Sequence, residues 1–130
     1  MDATPYDALG GEAGVSKLVE AFYDIMRAEE PALADLHTCD PSGRVEQAMQ
    51  DRFRFFLMGW LGGPPEYVKR HGHPRLRMRH NHVPVDIAMR DAWLRAMGKA
   101  LDQSGVAGPL RVLLDKRFSD LADFMRNVAE

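Results

Sequence analysis

Apolar residues recur along this chain at the 3.6-residue period of a helix, and nowhere do they alternate as they would on a half-buried strand. Between residues 12 and 27 the set Val15, Leu18, Val19, Phe22 and Met26 falls at i, i+3, i+4, i+7 and i+11. That spacing predicts an amphipathic helix beginning just past Gly10-Gly11. Pro31 interrupts the pattern, a short segment over 32–36 follows, and Asp40-Pro41-Ser42-Gly43 is a turn cluster. A second helix is expected from near Arg44, with Val45, Ala48, Met49, Phe53, Phe56, Leu57 and Trp60 on one broad face, until Gly62-Gly63-Pro64-Pro65 stops it. Over 65–85 the residues Pro65, Gly72, Pro74 and Pro84 deny the backbone a long helix, so only short pieces are expected, one of them over 75–80. Asp86 is placed to cap a third long helix carrying Ile87, Met89, Ala92, Trp93, Ala96, Met97, Ala100 and Leu101, which ends near Gly105. Pro109 suits the first turn of a fourth, whose face is Leu110, Leu113, Leu114, Phe118, Leu121, Met125 and Val128. The expectation is an all-α protein of four main helices and one irregular segment.

Composition narrows the class. At 130 residues the chain fits a single domain over 1–130, which can bury roughly two-thirds of the surface its unfolded form exposes. With 45% hydrophobic and 28% charged residues and a net charge of −2, it reads as a soluble globular protein with no attraction to nucleic acid. Lys69, Arg70, Arg75, Arg77 and Arg79 concentrate cations within a near-neutral whole, which implies a compact anionic partner and not a polyanion. Cys39 is the single cysteine, so an internal disulfide and a cysteine-rich zinc or iron–sulfur site are excluded. No signal pattern and no run of about eighteen apolar residues is found. A cytoplasmic protein without membrane contact is expected.

The chemistry concentrates in Gly72-His73-Pro74-Arg75-Leu76-Arg77-Met78-Arg79-His80. Four of the five histidines, His71, His73, His80 and His82, lie close together; the fifth is His37. As zinc ligands they match no usual closed spacing, and the interleaved cations oppose a dication. The letters His80-Asn81-His82 are not the dispersed nuclease motif. A haem uses the same residues better: it needs one axial imidazole, cations for two propionates and an apolar slot for the ring. Arg77 and Arg79 alternate with Leu76 and Met78, which allows cations at a rim and apolar cover over a ring. Trp93 would ordinarily be core, but an indole is a donor that cannot accept. In a dry pocket that donor would stabilise negative charge on bound dioxygen, and Tyr23 beside Phe22 offers a hydroxyl for the same task.

Together these residues resemble the second group of the truncated, two-over-two haemoglobins. The resemblance runs from Tyr6-Asp7-Ala8-Leu9-Gly10-Gly11 through Phe22-Tyr23, Gly59-Trp60-Leu61-Gly62-Gly63-Pro64, residues 72–80 and Arg90-Asp91-Ala92-Trp93-Leu94 to the last helix. It implies a globin-like, two-over-two helical sandwich with a pocket for haem b (iron protoporphyrin IX). By position it makes His80 the iron ligand, thirteen residues before Trp93; assigning His82 would require compensating shifts on both sides. On the distal side it implies Tyr23, Trp93 and His37, the last standing where many relatives carry tyrosine. An imidazole can donate or accept and titrates near neutral pH, so ligand binding is expected to be pH-sensitive. The distal helix offers Met49 and Phe53, with a one-residue slip putting Ala48 or Gln50 in that place. Lys69, Arg77 and Arg79, with Tyr67 as a neutral partner, are the propionate candidates, and Met78 lies against the ring.

The family is described as oxygen-binding. Two or three donors around a bound ligand imply slow release and argue against simple oxygen transport. Redox or detoxification chemistry on oxygen, nitric oxide or peroxide is expected, as a nitric oxide dioxygenase or a peroxidase-like enzyme, with an unidentified reductase as electron donor. Carbon monoxide should bind as well. The rival readings are a reversible oxygen-binding or sensing protein without turnover and, more remotely, a non-haem helical metal-binding protein. A monomer or a homodimer suits either.

Overall fold

The strongest period in the sequence becomes the longest helix. In the computed structural model, which describes residues 4–72 and 85–126, helix α2 (Gly11–Glu29) buries Val15, Leu18, Val19, Phe22 and Met26. A short helix, α1 (Pro5–Leu9), precedes it. Its signal is the reciprocal cap Thr4-Pro5-Tyr6-Asp7: the Asp7 amide donates to Thr4 Oγ1 at 3.1 Å and the Thr4 amide donates to the Asp7 carboxylate at 3.2 Å. Helix α3 (Pro31–Ala34) is a single turn, α4 is Gln47–Trp60, α5 is Glu66–His71, α6 is Ile87–Gln103 and α7 is Gly108–Met125. Asp86 caps α6 as expected, accepting from the Met89 amide at 2.8 Å.

One boundary and one helix face differ from the sequence reading, each for a local reason. Helix α4 starts three residues after Arg44 because the preceding segment has partners of its own. The Asp40 carboxylate accepts from the Ser42 and Arg44 amides at 2.9 and 3.2 Å, and Cys39 and Val45 form an isolated antiparallel bridge. The Gln50 side chain then donates to the Val45 carbonyl at 2.9 Å. Val45 is thus buried from a loop, and Ala48 on the first turn is exposed. On α7 the buried residues are Leu114, Phe118 and Ala122, which leaves Leu113 43% exposed. Val128 lies outside the described residues.

Helix α2 packs across α6 and α4, α6 runs against α7, and α5 leans on α4. The pair α2 and α4 lies over the pair α6 and α7, with Phe22, Phe118, Leu18, Met26, Leu57, Leu61, Met97 and Leu101 fully buried between them. Ion pairs decorate this packing: Arg95 reaches Glu30 with both arms of its fork at 3.0 and 2.8 Å, and Arg90 reaches Asp123 on α7 at 2.7 Å. Solvent screens such surface pairs, so they add little to stability. No helix among the described residues is long and apolar enough to cross a membrane.

Two glycines set how closely the amino-terminal elements pack. A Cβ on Gly63 would stand 2.6 Å from the Tyr6 ring, and one on Gly14 would stand 2.1 Å from the Leu9 carbonyl oxygen. Gly98, in the middle of α6, has room: the nearest neighbour of an added Cβ is the far end of Arg111 at 3.9 Å. Gly14→Ala is expected to lower the melting temperature by roughly 3 °C or more, since overpacking costs about 1–3 kcal/mol. Gly98→Ala should raise it by a few degrees, because Gly costs a helix interior up to about 1 kcal/mol relative to Ala. Thermal melts of the two variants against the parent protein check both signs.

Candidate functional site

A cavity of about 380 Å³ opens where α2, α4, α5, α6 and α7 converge with the segment after α3. That volume suits a small-molecule or cofactor pocket, which typically spans roughly 300–1,000 Å³. Its inner wall is built from three rings, one from each of three helices. Phe22 of α2 meets Trp93 of α6 edge-on at 5.3 Å between ring centres and meets Phe53 of α4 at 5.5 Å; Phe53 and Trp93 close the triangle at 6.3 Å. Phe118 of α7 packs behind Trp93 at 5.7 Å. These contacts hold the indole from several sides, so its orientation is fixed before any ligand arrives.

Tyr23 follows Phe22 on α2 and turns its ring edge toward Phe53 and His37, each at 6.0 Å. It is buried, and burial pushes its phenol well above the ordinary tyrosine value. The group therefore remains a protonated donor throughout the physiological range. His37 lies three residues beyond the end of α3, where its Nδ1 donates to the Leu33 carbonyl at 3.0 Å. Its own backbone is also held: the His37 amide donates to the Ala34 carbonyl at 3.0 Å, and the Cys39 thiol donates to the His37 carbonyl at 3.4 Å.

On α4, Met49 and Phe53 both line the cavity. Their neighbours face elsewhere, Ala48 to solvent and Gln50 into the protein toward Val45, so the register of this helix is set. Tyr67 of α5 lines the cavity and is buried, edge-on to Phe56 at 6.3 Å and beside His71 at 4.9 Å. Lys69 is absent from the described lining; it stands exposed, 3.8 Å from Glu66 of its own helix. The cation that does reach the cavity from α4 is Arg52, one turn past Met49, and Arg90 does so from α6. The i, i+3 relation to Met49 and to Trp93 was the sequence signal that could have found them. Leu36, Met89, Leu121 and Met125 extend the apolar lining. His80, Arg77, Arg79 and Met78, together with His73 and His82, lie outside the described residues.

An apolar slot walled by rings, with cations at its edge and a phenol and an imidazole facing into it, fits a flat group that carries carboxylates and takes a small polar ligand. Haem has that shape and chemistry.

Comparison with known proteins gives the same answer independently. The family model described as bacterial-like globin matches residues 4–127. A curated relative, group 2 truncated hemoglobin YjbI of Bacillus subtilis, is 40% identical over 97% of this chain and 90% of its own length. Among solved structures, the cold-adapted truncated haemoglobin of the Antarctic marine bacterium Pseudoalteromonas haloplanktis is 43% identical with a TM-score of 0.87, covering 97% of this chain and 99% of that one. A truncated oxygen-avid haemoglobin from Bacillus subtilis superposes with a TM-score of 0.85 at 37% identity, over 96% of this chain and all of that one. Three rings meeting over a slot at the centre of a two-over-two helical sandwich are thus a globin's pocket, and the chain belongs to the bacterial-like globin family as a group II truncated haemoglobin with haem b as its cofactor.

Proposed function

We propose that this globin holds its iron through His80 and uses bound oxygen, nitric oxide or peroxide for redox or detoxification chemistry, drawing electrons from a separate reductase. Haem-based oxygen binding comes with the family; the finer reading rests on this chain's own residues. The observation that carries it is the convergence of Tyr23, Trp93 and His37 on one ring-walled cavity. When bound, haem supplies an iron that takes a diatomic ligand and changes oxidation state.

The protein's residues would do the rest. Phe53, Met49, Met78, Tyr67 and Trp93 would sandwich the ring and keep water away. Arg52 joins Arg77 and Arg79 as a partner for the propionates, and Lys69, held toward Glu66, is the weaker candidate. Tyr23 and Trp93 supply hydrogen bonds to a ligand that gains negative charge. Each net hydrogen bond adds about 1 kcal/mol, so two slow release by roughly tenfold to thirtyfold. A carrier that unloads cannot use such retention, whereas a protein that reacts its ligand in place can. The oxygen-avid description of the similar Bacillus subtilis haemoglobin agrees with this reading.

His80→Ala should abolish the spectrum of a histidine-ligated haem, while His82→Ala should keep it; the reverse pattern in absorption spectra would transfer the ligand role to His82. Trp93→Phe preserves the ring contacts and removes the donor, so stopped-flow measurement should find oxygen dissociation about fivefold faster. An unchanged rate sinks the donor role. Tyr23→Phe tests the buried phenol through stability. Its folded pKa lies above the unfolded value of about 10, so its stabilising effect is complete below that pH and is lost as the pH rises through and beyond it. The variant should show a shallower loss of stability above about pH 10 in denaturant titrations.

A further inference from the structure

A second, smaller hollow lies outside the haem cavity, in the angle between α4 and α5, and measures about 250 Å³. Phe55 and Trp60 wall it from α4, and Pro65 and Val68 close it from the turn and from α5. Phe56 and Tyr67 line both hollows and meet edge-on at 6.3 Å, so these two rings are the partition. A haem in the main cavity leaves this groove to another occupant.

No charged side chain is in the described lining, but cations stand at both ends of it. At the Phe55 end the guanidinium groups of Arg54 and Arg70 lie 4.6 and 4.4 Å from the ring centre. Both are already neutralised: Arg54 reaches Glu12 at 3.2 Å and Asp51 at 3.5 Å, and Arg70 reaches Glu66 at 3.4 Å. At the Trp60 end, five residues or about 7.5 Å further along the helix axis, Arg117 of α7 lies 4.3 Å over the indole. It donates to the Trp60 carbonyl at 3.0 Å, and among the described residues no carboxylate pairs with it. A guanidinium carries five N–H donors in a fork that matches a carboxylate, so most of its capacity is left for an outside acceptor.

The groove therefore has polarity: apolar along its length, compensated at one end and cationic at the other. Its size argues for a small molecule over a macromolecule. On α4 and α5 Val68 is the one large apolar residue that is mostly exposed among the described residues, far short of the roughly 800 Å² each partner gives to a stable protein interface. A water-sized group takes about 30 Å³, so the space holds roughly eight such groups.

We infer that this groove binds a monocarboxylate with an apolar body of about eight carbons, its carboxylate on Arg117 and its body laid over Trp60 toward Phe55 and Val68. The inference concerns a surface apart from the bound diatomic ligand and stands independently of the proposed redox chemistry.

The test titrates sodium octanoate into the haem-loaded, reduced, carbon monoxide-treated protein at pH 7, where the iron is occupied and the carboxylate is ionised. Amide signals of Gly59 and Val68, which line the groove, and the Trp60 indole N–H should shift and saturate with a Kd of about 1 mM. Hexanoate, two methylenes shorter, should bind about fifteenfold more weakly, and 1-octanol about tenfold more weakly for want of the charge. Arg117→Gln should cost octanoate about tenfold and leave octanol unchanged, while Arg117→Lys stays within about threefold of the parent. Val68→Glu, at an exposed position that the fold does not need, should also cost octanoate about tenfold by adding an anion to the groove. Equal octanoate affinity in the parent and Val68→Glu, or in the parent and a folded Arg117→Gln, overturns the proposal. So do shifts confined to residues of the haem cavity such as Met89 and Leu121, and an absence of saturable shifts up to about 10 mM. Sedimentation showing self-association that Val68→Glu abolishes would give the groove to a second copy and overturn it as well.

Discussion

The contact of Phe22 with Phe53 and Trp93 is the interaction on which the rest depends. One ring from each of α2, α4 and α6 meets here, with the centres 5.3 to 6.3 Å apart. Aromatic contacts of this kind, two of them edge-on and the Phe22–Phe53 pair tilted, add roughly 0.5–1.5 kcal/mol each beyond the area they bury. Their larger effect is positional. Once Phe22 is locked, its chain neighbour Tyr23 must face the cavity, and once Trp93 is locked its indole cannot turn away into the core.

The same triangle decides where packing stops. On one side Leu18, Met26, Leu57, Met97 and Leu101 are fully buried; on the other lies about 380 Å³ that no described side chain fills. A domain of this length has little apolar surface to spare. The cofactor is therefore also a core element: by occupying the slot in the native state alone, it stabilises the fold by mass action as it binds. Recognition of the ring and completion of the interior are one event in this architecture.

How much of this was readable in the amino acids follows from the range of each interaction. The α2 face was legible because Val15, Leu18, Val19, Phe22 and Met26 repeat at one period, and the start of α6 because Asp86 caps it through its own side chain. The late start of α4 was not, since it depends on the Cys39–Val45 bridge and on Gln50 reaching back to Val45, pairings that periodicity does not encode. Leu113 looked like a core residue because its spacing was right, yet α7 is rotated so that Leu114, Phe118 and Ala122 face inward. In the site, Tyr23, His37, Met49, Phe53, Tyr67 and Trp93 could be named from the resemblance and are brought together around one cavity. Arg52 was passed over for cations in a denser cluster. The direction of the hydrogen bond at His37 had no sequence signal, because it is made to a backbone atom.

Gly14 and Gly63 touch no part of the cavity, yet they fix how tightly α1 is strapped across the start of α2 and the end of α4, the two helices that carry Tyr23 and Phe53. In a mutational scan scored by colour or oxygen uptake, a side chain at either glycine would register as a fault in the pocket. Such a scan would place the pocket's boundary too far out, and only comparison of pigment with folded protein would draw it back.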